Sequence, residues 1–288
     1  MFFARTLKAR LASPTDRSAV QALCRAEERV HMHLDWRPVE DWLGEQPFVL
    51  VERGGRVVAA LACPPDLPDV AWVRLLALAD GLDAAEVWRL LWPTALEELR
   101  HRQIPSVAAL NLEPWSAALY EQAGLTRTHD VVVLSRTVGR AAPLMLGHAS
   151  TPLKVRRAVP AEYAAVIQID AAAFRPPWQL SPAMLHLAIS QADYLTVAEA
   201  PSGELVGYQL STASRGNSHL ARLATLPRAQ GQGVGSALMT DLIAHYEALG
   251  GRELTVNTQH NNHASLAVYQ KFGYTLTGAR FPVYQAEM

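Results

Sequence analysis

The 288-residue chain is half hydrophobic and 18% charged, with a formal net charge of −1, enough apolar material for about two domains of ~100–200 residues each. That charge balance argues against a nucleic-acid binder working through a basic surface, and no apolar run approaches the ~18–20 residues that span a bilayer. Met1-Phe-Phe-Ala-Arg-Thr-Leu-Lys8 has no secretory-signal pattern, and Cys24 and Cys63, far apart in apolar surroundings, are expected as buried free thiols in a reducing cytoplasm.

Along the first half, Leu7–Ala12 is expected as a strand, Ser13-Pro-Thr-Asp16 as a cap, and Arg17 to His33 as a helix. Phe48–Glu52 and Val57–Cys63 alternate about Glu52-Arg-Gly-Gly-Arg56, the pattern of a hairpin. Ala71–Leu78 follows as a strand, Ala84 to Arg100 as an amphipathic helix that Pro93 can kink, Val107–Leu110 as a strand, Pro114–Gln122 as a short helix and Arg127–Arg136 as a strand. The Gly-, Ala- and Pro-rich segment 138–152 has no periodicity and is expected as a linker.

The second half repeats this order. Leu153–Arg157 is a strand, Pro160–Phe174 a helix, Arg175-Pro-Pro-Trp178 a break and Ser181–Ser190 a second helix. Tyr194–Glu199 and Leu205–Thr212 form a hairpin, and Ser218–Thr225 is a strand. A helix runs from Gly235 to Leu249, Glu253–Asn257 is a strand, Asn262–Phe272 a helix and Tyr274–Gln285 a last strand. The halves superpose with an offset of about 149, Leu119-Tyr-Glu-Gln-Ala-Gly-Leu125 lying on Val268-Tyr-Gln-Lys-Phe-Gly-Tyr274. The chain is expected as a duplicated domain, residues 1–137 and 153–288.

Leu223-Ala-Thr-Leu-Pro-Arg-Ala-Gln-Gly-Gln-Gly-Val-Gly-Ser236 is the stretch that carries chemistry. A strand ends at a proline, and Gly231, Gly233 and Gly235 open a helix whose first amides and positive dipole end can receive a diphosphate. A nucleotide-triphosphatase loop needs a lysine that Gly235-Ser236 lacks; a dinucleotide turn needs different glycine spacing and an acidic residue where Asn257 stands. The matching stretch of the first half, Ala79-Asp-Gly-Leu-Asp-Ala-Ala85, keeps one glycine and adds two aspartates. One cradle, in the second half, is expected.

Gln230-Gly-Gln-Gly-Val-Gly235 resembles the Gln/Arg-x-x-Gly-x-Gly/Ala signature of the GNAT superfamily, the Gcn5-related N-acetyltransferases. Asn262-His-Ala-Ser-Leu-Ala-Val-Tyr-Gln-Lys-Phe-Gly-Tyr274 is similar to that family's second signature, and the two occur in the family's order. The match is clear over about Leu153–Gln285 and weaker before it. The resemblance implies a mixed α/β fold of two tandem domains, the first degenerate, each with a mostly antiparallel sheet flanked by helices. It implies acetyl-CoA, or another short acyl-CoA, as co-substrate. Gln230, Gly231, Gln232, Gly233, Val234, Gly235 and Ser236 would take its pyrophosphate. Leu223, Ala224 and Thr225 would pair with the pantetheine arm and offer an N–H to the thioester oxygen. Tyr269 would be general acid to the departing thiolate, since a phenol (~10) stays protonated at neutral pH; the alternative is a core tyrosine. Asn262 is either a cofactor contact or a helix N-cap.

The acceptor is expected to be a small-molecule or peptide amine, attacking the thioester directly after something takes its proton. His219 sits about where relatives carry a catalytic Glu and, on a regular strand, shares a face with Ala221 and Leu223; a structural histidine is the alternative, and Glu199 is a weaker base. His31 and His33, expected on a helix, and His260 and His263 lack carboxylate or thiol partners, so no metal site is expected. No nucleic acid or membrane is expected as a partner, and the oligomeric state is open. A non-catalytic acyl-CoA-binding or scaffold protein of the same fold is the second reading.

Overall fold

The computed structural model describes residues 6–138 and 152–288; nearly all of the expected linker lies outside them. In chain order the elements are β1 (Leu7–Leu11), α1 (Arg17–Ala26), β2 (Arg29–Met32), β3 (Phe48–Arg53), β4 (Arg56–Ala62), β5 (Pro65–Leu67), β6 (Val70–Trp72), β7 (Leu75–Leu78), α2 (Ala84–His101), β8 (Ser106–Leu110), α3 (Ala117–Gln122) and β9 (Thr126–Thr137). There follow β10 (Lys154–Arg157), α4 (Tyr163–Ala173), α5 (Pro182–Gln191), β11 (Tyr194–Glu199), β12 (Leu205–Ser214), β13 (Asn217–Thr225), α6 (Val234–Ala248), β14 (Glu253–Gln259), α7 (His263–Lys271) and β15 (Thr275–Glu287).

Most expected elements appear within a few residues of their expected ends. The helix expected to reach His33 is corrected: α1 stops at Ala26, Glu27 is extended (φ −109°, ψ 147°), and Arg29–Met32 is a strand paired with β7. Tertiary pairing outweighs helical periodicity there, at a segment containing the β-branched Val30. His31 is therefore a strand residue, not a helical one. The strand expected over 71–78 is two, β6 and β7, paired with different neighbours. Pro160–Glu162 is a 3-10 turn ahead of α4 rather than its first turn.

Two compact units divide the chain, one comprising the residues up to His129 together with Phe281–Met288, the other Asp130–Arg280. These bounds differ from the sequence halves, because β9 and β15 each leave their own repeat. The first unit has an antiparallel sheet ordered β1-β3-β4-β7-β2, and β8 takes the end of β15 from Val283↔Leu110 to Glu287↔Ser106. In the second unit the order is β10-β11-β12-β13-β14, with residues 131–137 of β9 antiparallel to β14. Only β13–β14 is parallel among these second-unit pairs. Its core packs α6 and α7 on the sheet through Leu220, Met239, Leu242, Ile243, Leu254, Val256 and Phe272, and Val132 and Leu134 of β9 are buried in the same cluster.

Candidate acyl-donor groove and catalytic face

The glycine-rich turn is built by its own residues. Pro227 has no N–H to continue a strand, and Pro227–Ala229 form a single 3-10 turn in which Ala229 N donates to Leu226 O at 2.8 Å. Gly231 (φ +75°) and Gly233 (φ +87°) take the left-handed conformation that a Cβ disfavours. Gly233 is the N-cap of α6, and no side chain among the described residues caps the helix. Ala237 N donates back to Gly233 O at 2.9 Å, so the amides just before it precede the helical ladder. Gly235 is different: its φ is ordinary, and a Cβ there would meet nothing within 4 Å. Two glycines serve the backbone, and the third keeps the space before the helix clear.

That space is a groove of about 500 Å³, lined by Leu223 and Thr225 of β13, the turn from Ala229 to Ser236, and the α7 stripe Ala264, Ser265, Val268 and Lys271. Lys271 Nζ donates to Ser236 Oγ at 3.3 Å. An ammonium beside the positive end of a helix is unfavourable by itself and is relieved by an anion between them. Lys271, Ser265 and Val268 were not among the expected site residues; their spacing on α7 places them one turn apart on one face. Gln232 turns its amide back to Arg228 O at 2.9 Å.

The strand edge beside the groove is open because β13 forks away from β14. The two pair in parallel from Asn217↔Glu253 to Leu220↔Val256, whereas from Leu223 to Thr225 the pairing, among the described residues, is with β12 alone. The cause is a bulge: Leu220 opposes Ser211 and Arg222 opposes Leu210, leaving Ala221 unmatched. The bulge also corrects the expected face of His219. One extra residue reverses the alternation, so His219 shares its face with Arg222 and Ala224, opposite Thr212, Leu210 and Tyr208, while Leu220, Leu223 and Thr225 point to the α6–α7 side. Ala224, also expected at the site, is 2% exposed and lies between the lining residues Leu223 and Thr225 without being one of them.

On the His219 face, Arg222 grips Asp170 of α4 through Nε at 2.9 Å and Nη2 at 2.7 and 2.8 Å. Tyr208 OH donates to the same carboxylate, and the guanidinium lies 3.8 Å over the Phe174 ring. His219 Nδ1 is 2.9 Å from Thr255 Oγ1; burial lowers the imidazole pKa, and the Asn257 amide partly opposes that. Glu199 is engaged by Arg156 at 2.7 Å.

Asn262 is the N-cap of α7: its Oδ1 accepts from Ser265 N at 3.2 Å and its Nδ2 donates to Gln259 Oε1 at 3.2 Å. Tyr269 is 5% exposed, in the cluster that contains Leu220 and Val256 at the fork. Burial raises its pKa to about 12, with the Ser265 hydroxyl acting against the shift. The structure thus gathers Leu223, Thr225 and Gln230 to Ser236 in one groove, buries Tyr269 in the core cluster next to the lining residue Ser265 and puts His219 on the opposite face.

Residues 163–274 match the acetyltransferase (GNAT) family. The chain is 26% identical over 197 residues to a mycothiol acetyltransferase from Nocardioides sp., a match spanning 58% of this chain and 67% of that protein. A GCN5-related N-acetyltransferase from Sphaerobacter thermophilus superposes with TM-score 0.66 at 20% identity, covering 98% of this chain and 95% of that one. A tandem GNAT protein from the clavulanic acid biosynthesis pathway gives 0.65 at 20% identity, over 98% of each chain. Residues 163–274 are a GNAT domain. The fold of the whole chain is that of tandem GNAT proteins.

In the first GNAT-like unit the fork has a different content. β6 runs parallel to β8 (Ala71↔Val107, Trp72↔Ala108), and β7 then diverges beside β4, as β13 leaves β14. The outer edge of β7 is taken by β2, paired from Arg29↔Leu78 to Met32↔Leu75. At the turn before α2, Glu27 Oε2 accepts from Asp80 N at 2.9 Å, and Asp83 Oδ1 accepts from Glu86 N at 2.9 Å. Arg29 Nη2 donates to Ala79 O at 2.8 Å and Leu82 O at 3.1 Å. Two carboxylates hold amides at a turn whose counterpart in the second unit has no side-chain cap.

Proposed function

We propose that the chain is an acyl-CoA-dependent N-acyltransferase that moves an acetyl group to a primary amine, with its chemistry in the second unit. One observation carries this: an uncapped helix start, a glycine kept clear and an unpaired strand edge line a single groove. Diphosphate, an extended amide-bearing arm and a thioester are what such a groove suits, and the donor set fits them without a metal ligand. When bound, acetyl-CoA supplies an acyl group on a good leaving thiolate.

In this reading the amides of residues 231–236 and the Lys271 ammonium bind the diphosphate, since both are donors facing one space. The β13 edge over Leu223–Thr225 orients the pantetheine arm by strand-like hydrogen bonds and holds an N–H for the charge that develops on the thioester oxygen. Tyr269 gives its phenolic proton to the sulfur; burial raises its pKa, so the phenol is in its protonated form at neutral pH. His219, neutral because its pKa is lowered, takes a proton from the amine nitrogen. The new C–N bond replaces the C–S bond, with one proton lost at nitrogen and one gained at sulfur.

Thermal melting of the full chain tests the reading: acetyl-CoA should raise the melting temperature, and NAD and ATP should not. Gly235→Leu fills the clear space without touching a strained φ, so it should leave the unliganded melting temperature within a few degrees and weaken acetyl-CoA binding by at least tenfold. A Gly235→Leu variant that binds normally refutes the groove assignment. Thiol release over a panel of amines, amino acids, aminoglycosides and peptide N-termini separates transfer from simple binding; release with none of them favours a scaffold role.

A further inference from the structure

Three polar groups meet beside the fork on the face opposite α6 and α7. Thr255 Oγ1 lies 2.9 Å from His219 Nδ1 and 3.2 Å from the Ser218 carbonyl oxygen. A carbonyl can only accept, a hydroxyl has one proton, and an imidazole nitrogen can do either. If the threonine proton goes to the histidine, its oxygen is left facing the Ser218 oxygen lone pair against lone pair. If it goes to Ser218, His219 Nδ1–H donates to Thr255, and both contacts are hydrogen bonds at once. Only the second assignment satisfies both.

We propose that Thr255 is a positioning residue that fixes His219 as the Nδ1–H tautomer, leaving the Nε2 lone pair as the proton acceptor for the incoming amine. This rests on the acyltransferase reading above. The relay is short and rigid: Ser218 and His219 are paired with Leu254 and Thr255 in the last parallel stretch before the strands part, so the backbone sets the Thr255–His219 distance. His219 therefore stands one residue before the fork, where a thioester lying along the open β13 edge can be approached from the histidine's face. Burial acts in the same sense by keeping the ring neutral. The charged neighbour on that face, Arg222, is consumed by Asp170; the Asn257 side chain hydrogen-bonds the ring and raises its pKa against the burial, so the incoming amine must displace or share that contact to reach the ring nitrogen. The amine N–H proton moves to Nε2 as the C–N bond forms, and the imidazolium so produced keeps its Nδ1–H bond to Thr255.

The test is a long-range 1H–15N spectrum of the full chain labelled at histidine nitrogen, with no ligand, and with His219→Gln to assign the signal. At neutral pH, His219 Nδ1 should resonate as a protonated nitrogen and Nε2 as a bare one. Thr255→Val should shift the population toward Nε2–H and lower kcat by at least tenfold while KM for acetyl-CoA changes less than twofold. Thr255→Ser, which keeps the hydroxyl, should restore both the spectrum and kcat. An Nε2–H tautomer in the unaltered protein, or an unchanged tautomer in Thr255→Val, overturns the proposal whatever the turnover. The Nδ1–H tautomer together with full turnover in His219→Gln instead removes the histidine from catalysis, and Thr255 with it as a positioning residue.

Discussion

Tyr269 and Tyr120 occupy matching places in the two repeats and are both nearly inaccessible, yet their surroundings differ. Tyr269 lies beside Ser265, which lines the groove. Tyr120 has the His31 and Trp88 rings edge-on to it, at 6.4 and 6.1 Å between centroids. Replacing Tyr269 with Phe should lower kcat on the order of 10²-fold, the usual scale for a lost general acid, and change acetyl-CoA affinity less than threefold; stopped-flow thiol release with equilibrium binding separates the two. His31 makes stability depend on pH. It is fully buried, and burial lowers its pKa to about 4. Its folded value lies below the ~6.5 of an unfolded histidine, so its stabilising contribution is complete above that pH and is lost as pH falls towards 4. The loss amounts to roughly 3 kcal/mol at 1.36 kcal/mol per unit. Denaturant melts from pH 7.5 to 4.5 should show this slope in the unaltered protein and a flatter one in His31→Leu.

Elements were legible where local chemistry decides them. Glu52-Arg-Gly-Gly-Arg56 became a tight hairpin because Gly54 and Gly55 supply two positive φ values (+64° and +79°). Ser181 became an N-cap accepting from Met184 N at 3.0 Å. The turn and helix of the groove were legible for the same reason, through Pro227 and the glycines. What sequence could not reveal depends on distant partners. β2 is a strand because β7 needs an edge partner, and the face of His219 depends on a bulge that no local pattern marks. Lys271 was missed because its role arises from Ser236, 35 residues away. Gly207 tests how closely these elements approach. A Cβ there would stand 2.6 Å from Val234 Cγ1 and 2.8 Å from Ala224 O, so Gly207→Ala must push β12 away from α6 or β13. A cost of about 1–3 kcal/mol is expected, measurable as a lowered denaturant midpoint, with weakened acetyl-CoA binding since both neighbours border the groove.

At the scale of the whole molecule, the repeat in sequence and the unit in space are not the same object. Val132 and Leu134 of β9, at 4% and 0% exposure, belong to the second unit's core, and Arg136 donates to Phe272 O and pairs with Glu247 at 3.1 Å. Burying the two aliphatic side chains alone is worth about 3–6 kcal/mol, a large part of a typical ~5–15 kcal/mol of stability. A fragment of residues 130–280 should therefore melt cooperatively by circular dichroism, whereas 153–288, which follows the sequence repeat, should not.

The strand β2 has a consequence for how the two units respond to their surroundings. A forked sheet leaves backbone donors and acceptors that something must satisfy. In the second unit the proposed acyl donor would meet that requirement; the first meets it with its own chain, carboxylate included. An internal occupant cannot be diluted, so on the acyltransferase reading proposed above acetyl-CoA should stabilise the second unit by RT ln(1 + [L]/Kd) and leave the first unchanged. Titration calorimetry should accordingly give one acetyl-CoA per chain, and differential scanning calorimetry should show only part of the unfolding heat moving upward as ligand is added. That outcome would make the protein half constant and half metabolite-dependent: two similar units of one fold, one reporting on its own integrity and the other on the supply of activated acyl groups.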